Sequence, residues 1–96
     1  MFFEKKKIEN FKTISFDHLI VKVEINHIEI ILNRAIKKNA LNSKMIEELA
    51  LCTDYANSND SIRAVIYKSI GDTFCAGLDL NDFKESGNTI QISDVF

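Results

Sequence analysis

Apolar and polar residues alternate along LIVKVEI, Leu19–Ile25. Leu19, Val21, Val23 and Ile25 fall on one side, Lys22 and Glu24 on the other. A period of two is the mark of a half-buried strand. After Asn26-His27 the alternation resumes, with Ile28, Ile30 and Leu32 sharing one face of IEIIL. The two runs predict a hairpin with one buried face, turning at Asn26-His27. The period then lengthens. Met45, Leu49, Cys52 and Ala56 recur at helical spacing with Ile46 beside them, which predicts an amphipathic helix whose stripe is a core face. Asn42 or Ser43 can cap that helix. With Asn42 as cap, Leu41 and Ile46 take the two positions of a hydrophobic staple. NSND at 57–60 stops the helix.

Residues 62–70, IRAVIYKSI, carry the uninterrupted apolar run Ala64–Tyr67. A run without alternation predicts a strand buried on both faces. Gly71 and Asp72 turn the chain, and Asp79–Glu85 reads as a short helix capped at or near Asp79. Residues 86–96 show no clear period. The predicted order is β-β-α-β-loop-α, an α/β arrangement without internal repeats.

Composition narrows the function. A chain of 96 residues makes at most one small domain. Residues 1–13 read as a basic N-terminal extension around Lys5, Lys6, Lys7 and Lys12, and 14–96 as the folded portion. A net charge of −2 and a pI near 5.6 give no general reason to expect nucleic acid or an anionic membrane as partner. No apolar run approaches the roughly 20 residues that span a bilayer. MFFEKKKIENF lacks the apolar core of a secretory signal, so a cytoplasmic protein with Cys52 and Cys75 reduced is expected. No Cys/His spacing points to a metal. His18 and His27 read as solvated or turn residues.

The stretch DTFCAGLDLNDF, Asp72–Phe83, sets three small residues, Cys75, Ala76 and Gly77, between a strand and a helix start. Small residues let another molecule approach the backbone, and the free N–H groups of a helix N-terminus favour negative charge. Taken alone, the stretch fits a turn for close strand–helix packing at least as well. Lys37 and Lys38, in the preceding basic connection NRAIKKNAL, suit phosphates as point charges or serve as an ordinary solvated loop.

Two blocks in fixed order change that balance. The first is Leu32-Asn33-Arg34 followed by Asn39-Ala40-Leu41 opening a helix. The second is Ala64-Val65-Ile66, then Phe74, Ala76-Gly77 and Asp79-Leu80. Over Leu19 to Phe83 the chain resembles the enoyl-CoA hydratase/isomerase (crotonase) superfamily. Ala35 stands where that family usually has Pro, and Ser69 where Gly is common. The resemblance implies the N-terminal part of a crotonase-like fold built from repeated ββα turns. It implies an acyl-CoA thioester as partner and a lyase or isomerase of fatty acid metabolism. Coenzyme A enters as part of the substrate, with no separate cofactor, and a complete chain would form a homo-oligomer, trimer or hexamer.

By the same resemblance, the backbone N–H of Leu78 is one of two donors to the thioester oxygen, the other lying in a later Gly-rich segment. Coenzyme A contacts fall at Lys38 and along Ala76, Gly77, Leu78, Asp79 and Leu80. Asp79 reads better as a helix cap than as a catalytic acid, and Glu47 and Glu48 are expected to face solvent. The expectation is therefore an N-terminal portion of a crotonase-like enzyme, inactive alone. The alternative is a non-catalytic module that assembles with a partner supplying the rest of the fold. The acyl group and reaction type stay open, because function lives in the site and not in the fold.

Overall fold

The protein is represented by a computed structural model that describes residues 11–86. The expectations for 1–10 and for 87–96 lie outside the described residues. A short 3-10 turn, Phe11–Thr13, leads into strand β1 (Leu19–Val23), β2 (His27–Leu32), a second 3-10 turn (Ala35–Lys37), helix α1 (Ser43–Ser58), β3 (Ala64–Ser69) and helix α2 (Leu80–Ser86). The sheet order is β1-β2-β3. β1 and β2 are antiparallel with Leu19 opposite Leu32 and Val23 opposite Ile28; β2 and β3 are parallel with Ile28 opposite Val65. The crossover from β2 to β3 runs through α1, as a parallel connection requires.

The hairpin forms, but its turn sits one residue earlier than the sequence suggested. Val23 pairs with Ile28, and the Glu24 N–H donates to the His27 carbonyl at 2.9 Å. That register keeps Ile28, Ile30 and Leu32 on the core side, and it leaves Ile25 in the turn, 92% exposed. Helix α1 packs its stripe on this face: Met45, Leu49, Cys52 and Tyr55 join Leu19, Ile28, Ile30 and Leu32 in one core, with Ala56 packed against it. Asn42 caps the helix, its Oδ1 accepting the Met45 N–H at 2.8 Å. Phe11, read from sequence as part of the basic extension, is buried in the same core and stacks on Tyr55 at 4.2 Å between ring centroids.

Two expectations about burial are corrected. β3 is not buried on both faces: Val65, Ile66 and Tyr67 are 37%, 39% and 46% exposed. β3 is the edge of the sheet and α1 covers chiefly β1 and β2, so among the described residues nothing closes over it. Glu48 does not face solvent. It is buried, and its carboxylate accepts the backbone N–H groups of Asp17 at 2.6 Å and His18 at 3.2 Å. These bonds anchor the segment before β1 to α1 and satisfy the charge. Glu47 is exposed as expected. Among the described residues no helix is long and apolar enough to cross a membrane, and no cluster of three metal-ligating side chains occurs.

Candidate functional site

Two connections meet at one end of the sheet. The first, 33–42, joins β2 to α1; the second, 70–79, joins β3 to α2. The first turns back sharply through Lys38 and Asn39, both left-handed at φ +53° and +56°. An Asn tolerates this region; a Lys is rarer there. Beyond the turn the two connections run side by side as a short parallel ladder. The Ala76 N–H donates to the Lys38 carbonyl at 3.1 Å, the Leu41 N–H to the Gly77 carbonyl at 2.8 Å, and the Asp79 N–H to the Leu41 carbonyl at 2.8 Å. Leu41 thus bridges Leu78. A residue bracketed in this way in a parallel ladder turns its own N–H and C=O to the other side. Among the described residues the Leu78 N–H donates to nothing.

Leu78 also lines an open cleft of about 630 Å³, whose walls include Arg34, Lys37, Ala40, Ala76, Asp79 and Leu80. Ala76 leaves the backbone accessible. Gly77, at φ +96°, supplies a conformation that side-chain-bearing residues rarely adopt, and a Cβ placed on it would meet nothing within 4 Å. Gly71, at φ +91°, is tighter: its Cβ would come within 3.2 Å of the Ala35 Cβ. The Cys75 thiol is half-buried, and its Sγ accepts the Gly77 N–H at 3.4 Å.

The charged groups are mostly committed to the scaffold. Asp79 accepts the Asp82 N–H on Oδ1 at 3.1 Å and the Arg34 guanidinium on Oδ2 at 3.0 Å. These bonds, first the Asp82 N–H and then Arg34, hold its carboxyl below the usual Asp range. Asp79 is therefore the cap the sequence suggested, and both its oxygens are occupied. It also takes up one first-turn donor of α2, the Asp82 N–H, while the Leu78 N–H lies just ahead of the helix. Arg34 further donates to the Ala40 carbonyl at 2.9 Å. Asp82 Oδ2 accepts from the N–H and hydroxyl of Ser43 at 2.9 and 3.0 Å, fastening α2 to the start of α1. Lys37 lines the cleft, whereas Lys38 contributes its carbonyl to the ladder and carries an exposed side chain.

Sequence reasoning gave no role to Asn39, which is fully buried. Its Oδ1 accepts the Arg34 N–H at 2.8 Å, and its Nδ2 donates to the carbonyls of Ile70 and Thr73, each at 2.8 Å. One side chain thus ties the two connections together. The available signal was a small polar residue able to sit left-handed at the end of a basic turn.

The structure brings together Ala76, Gly77, Leu78, Asp79 and Leu80, with Lys38 beside them through its backbone. The comparisons with known proteins meet this geometry. The family described as enoyl-CoA hydratase/isomerase matches residues 23–94. A 1,2-epoxyphenylacetyl-CoA isomerase from Escherichia coli (strain K12) is 35% identical over 66 residues, which are 69% of this chain and 25% of that protein. The human testis-specific chromodomain protein Y 2 is 35% identical over 71 residues, 73% of this chain and 13% of that protein. Among solved structures, an enoyl-CoA hydratase/isomerase from Pseudoalteromonas atlantica T6c superposes with a TM-score of 0.68 at 37% identity, covering 78% of this chain and 29% of that one. The chain spans a quarter or less of the curated relatives' length and under a third of that structure. The ββα order, the strand pairing and these matches agree, and the chain belongs to the enoyl-CoA hydratase/isomerase family.

Proposed function

We propose that this chain is the oxyanion-bearing part of an acyl-CoA hydratase or isomerase, working in the cytoplasm on a coenzyme A thioester. The observation that carries the reading is the Leu78 N–H, unpartnered among the described residues, on a residue that lines the cleft and has small neighbours at 76 and 77. A thioester oxygen seated there gains a fixed donor as negative charge develops on it. The loss of one such donor typically costs about 3–4 kcal/mol of transition-state stabilisation. Lys37 and Lys38 supply cations for the nucleotide phosphates at the same end of the sheet. Ala76–Leu80 offers the backbone for the pantetheine arm to follow.

Full turnover needs a second donor and a free acid or base. Among the described residues Asp79 and Glu48 are engaged in scaffold bonds, and Glu47 is exposed on α1. On this reading the chain alone is expected to bind without turning over. The test is equilibrium binding of crotonyl-CoA and of crotonyl-pantetheine to the purified chain, with the same samples assayed for hydration. The expected result is binding that weakens without the nucleotide, and hydration at the buffer rate. Equal affinity for both thioesters would remove the lysines from the reading, and no binding of either would remove the reading itself.

A second reading is a non-catalytic module that assembles with a partner chain, and the exposed apolar edge β3 favours it. Unpaired edges with apolar faces recruit other strands. Sedimentation separates the two readings: the module self-associates or captures a complementary chain whether or not a thioester is present. A monodisperse monomer would speak against the module.

A further inference from the structure

We infer that Asn39 is the positioning residue of the site: its buried amide holds the ladder that turns the Leu78 N–H away from Leu41 and leaves it free to donate. The inference rests on the proposed oxyanion role of Leu78 and adds a residue that does not touch the thioester. Leu78 owes its orientation to the ladder between 38–41 and 76–79, because the bonds from Leu41 to Gly77 and Asp79 force its N–H outward. That ladder has only three bonds, and each connection leaves the sheet through a turn. Asn39 fixes both turns at once. Through Oδ1 it holds the Arg34 N–H at the start of the first connection. Through Nδ2 it holds the Ile70 and Thr73 carbonyls at the start of the second.

All three bonds lie between 2.8 Å partners and the residue is fully buried, so the amide has no competing water. Asn is the residue type that can do this. Its amide presents an acceptor and two donors on one short stem, and its backbone tolerates the left-handed φ of +56°. Asp offers only acceptors and would face two carbonyls. Gly allows the backbone but has no clamp. If the clamp opens, 76–79 can slide or twist against 38–41, and Leu78 loses its orientation while the buried core of β1, β2 and α1, against which only Leu41 of the ladder packs, is kept.

The experiment uses the purified chain and butyryl-CoA carrying 13C at the thioester carbonyl. In the unaltered protein the bound carbonyl resonance moves downfield. Asn39→Gly and Asn39→Asp reduce that displacement by more than half when it is read at saturating ligand. Ile30→Val, which lowers stability from the core, leaves the displacement intact. Variants that keep the full displacement overturn the inference, as does a loss matched by Ile30→Val. A second measurement needs no variant. In the unaltered chain the Asn39 Nδ2 protons should exchange with solvent as slowly as the N–H groups of Ala76 and Leu41. Exchange of the side chain much faster than the ladder overturns the coupling. If the unaltered chain binds butyryl-CoA without a downfield carbonyl, the oxyanion role of Leu78 fails, and the exchange rates still decide whether Asn39 holds the ladder.

Discussion

Gly77→Ala isolates the conformational demand of the site from its packing. At φ +96° an alanine is strained, and its Cβ would meet no atom within 4 Å. The cost is therefore backbone strain of roughly 1–3 kcal/mol, less the ~0.4–1 kcal/mol that alanine contributes by restricting the unfolded chain. At mid-range values of both, a net loss of about 1–1.5 kcal/mol follows. With a urea slope near 1 kcal/mol/M for a chain of this size, the midpoint falls by about 1–1.5 M. Gly71→Ala shares the strain, at φ +91°, and adds a 3.2 Å approach to the Ala35 Cβ. It should cost more, and Ala35→Gly in the same chain should return only the excess. Urea unfolding followed by tyrosine fluorescence reads these variants and the matching Gly77→Ala/Ala35→Gly pair, because Tyr55 is buried against Phe11 and the chain has no Trp. A Gly77→Ala variant as stable as the parent would refute the left-handed geometry at 77. Coupling of Gly77 to Ala35 as strong as that of Gly71 would refute the assignment of its cost to strain alone.

Three further outcomes follow from the same contacts. Lys38→Gly relieves a left-handed lysine and should raise stability by a few tenths to about 1 kcal/mol, while crotonyl-CoA binds more weakly; calorimetry on both properties would show whether they part. Glu48→Ala strands the Asp17 and His18 N–H groups and should cost about 1–3 kcal/mol in urea unfolding, and a loss below a few tenths would mean water replaces the carboxylate freely. Burial, with Glu48 adding to it, pushes the Cys52 thiol up from 9.0 to about 12. The unfolded chain then ionises first, so stability should fall by roughly 1.4 kcal/mol per pH unit as pH rises from about 9 toward 12. Cys52→Ala should flatten that slope, and at pH 8 thiol reagents should label Cys75 before Cys52.

The core was legible because its signals are periodic. Ile28, Ile30 and Leu32 on one side of a strand, and Met45, Leu49 and Cys52 on one side of a helix, specify a sheet face and the helix that covers it. The Asn42 cap and the Asp79 cap were legible because their side chains reach only a few residues along the chain. Burial of β3 was misread because its apolar run reports what the strand suits and not what covers it. Glu48 and Asn39 were missed for another reason. Their partners lie about thirty residues away in sequence, and no local pattern announces a bond from a helix carboxylate to Asp17 or from a turn amide to Ile70 and Thr73. The proposed role of Leu78 was legible only through family resemblance. The proposal turns on a backbone N–H left free, among the described residues, by a ladder between two connections, and spacing alone does not reveal that.

The most direct test watches the Leu78 amide itself. A 15N-labelled chain is titrated with butyryl-CoA and, separately, with S-butyl-coenzyme A, a thioether of the same shape without the carbonyl oxygen. Both ligands should shift the amides of Lys37 and Lys38, while only the thioester moves the Leu78 proton downfield, as a new hydrogen bond requires. A Leu78 proton that stays in place with the thioester bound, or that moves equally with the thioether, would contradict the account.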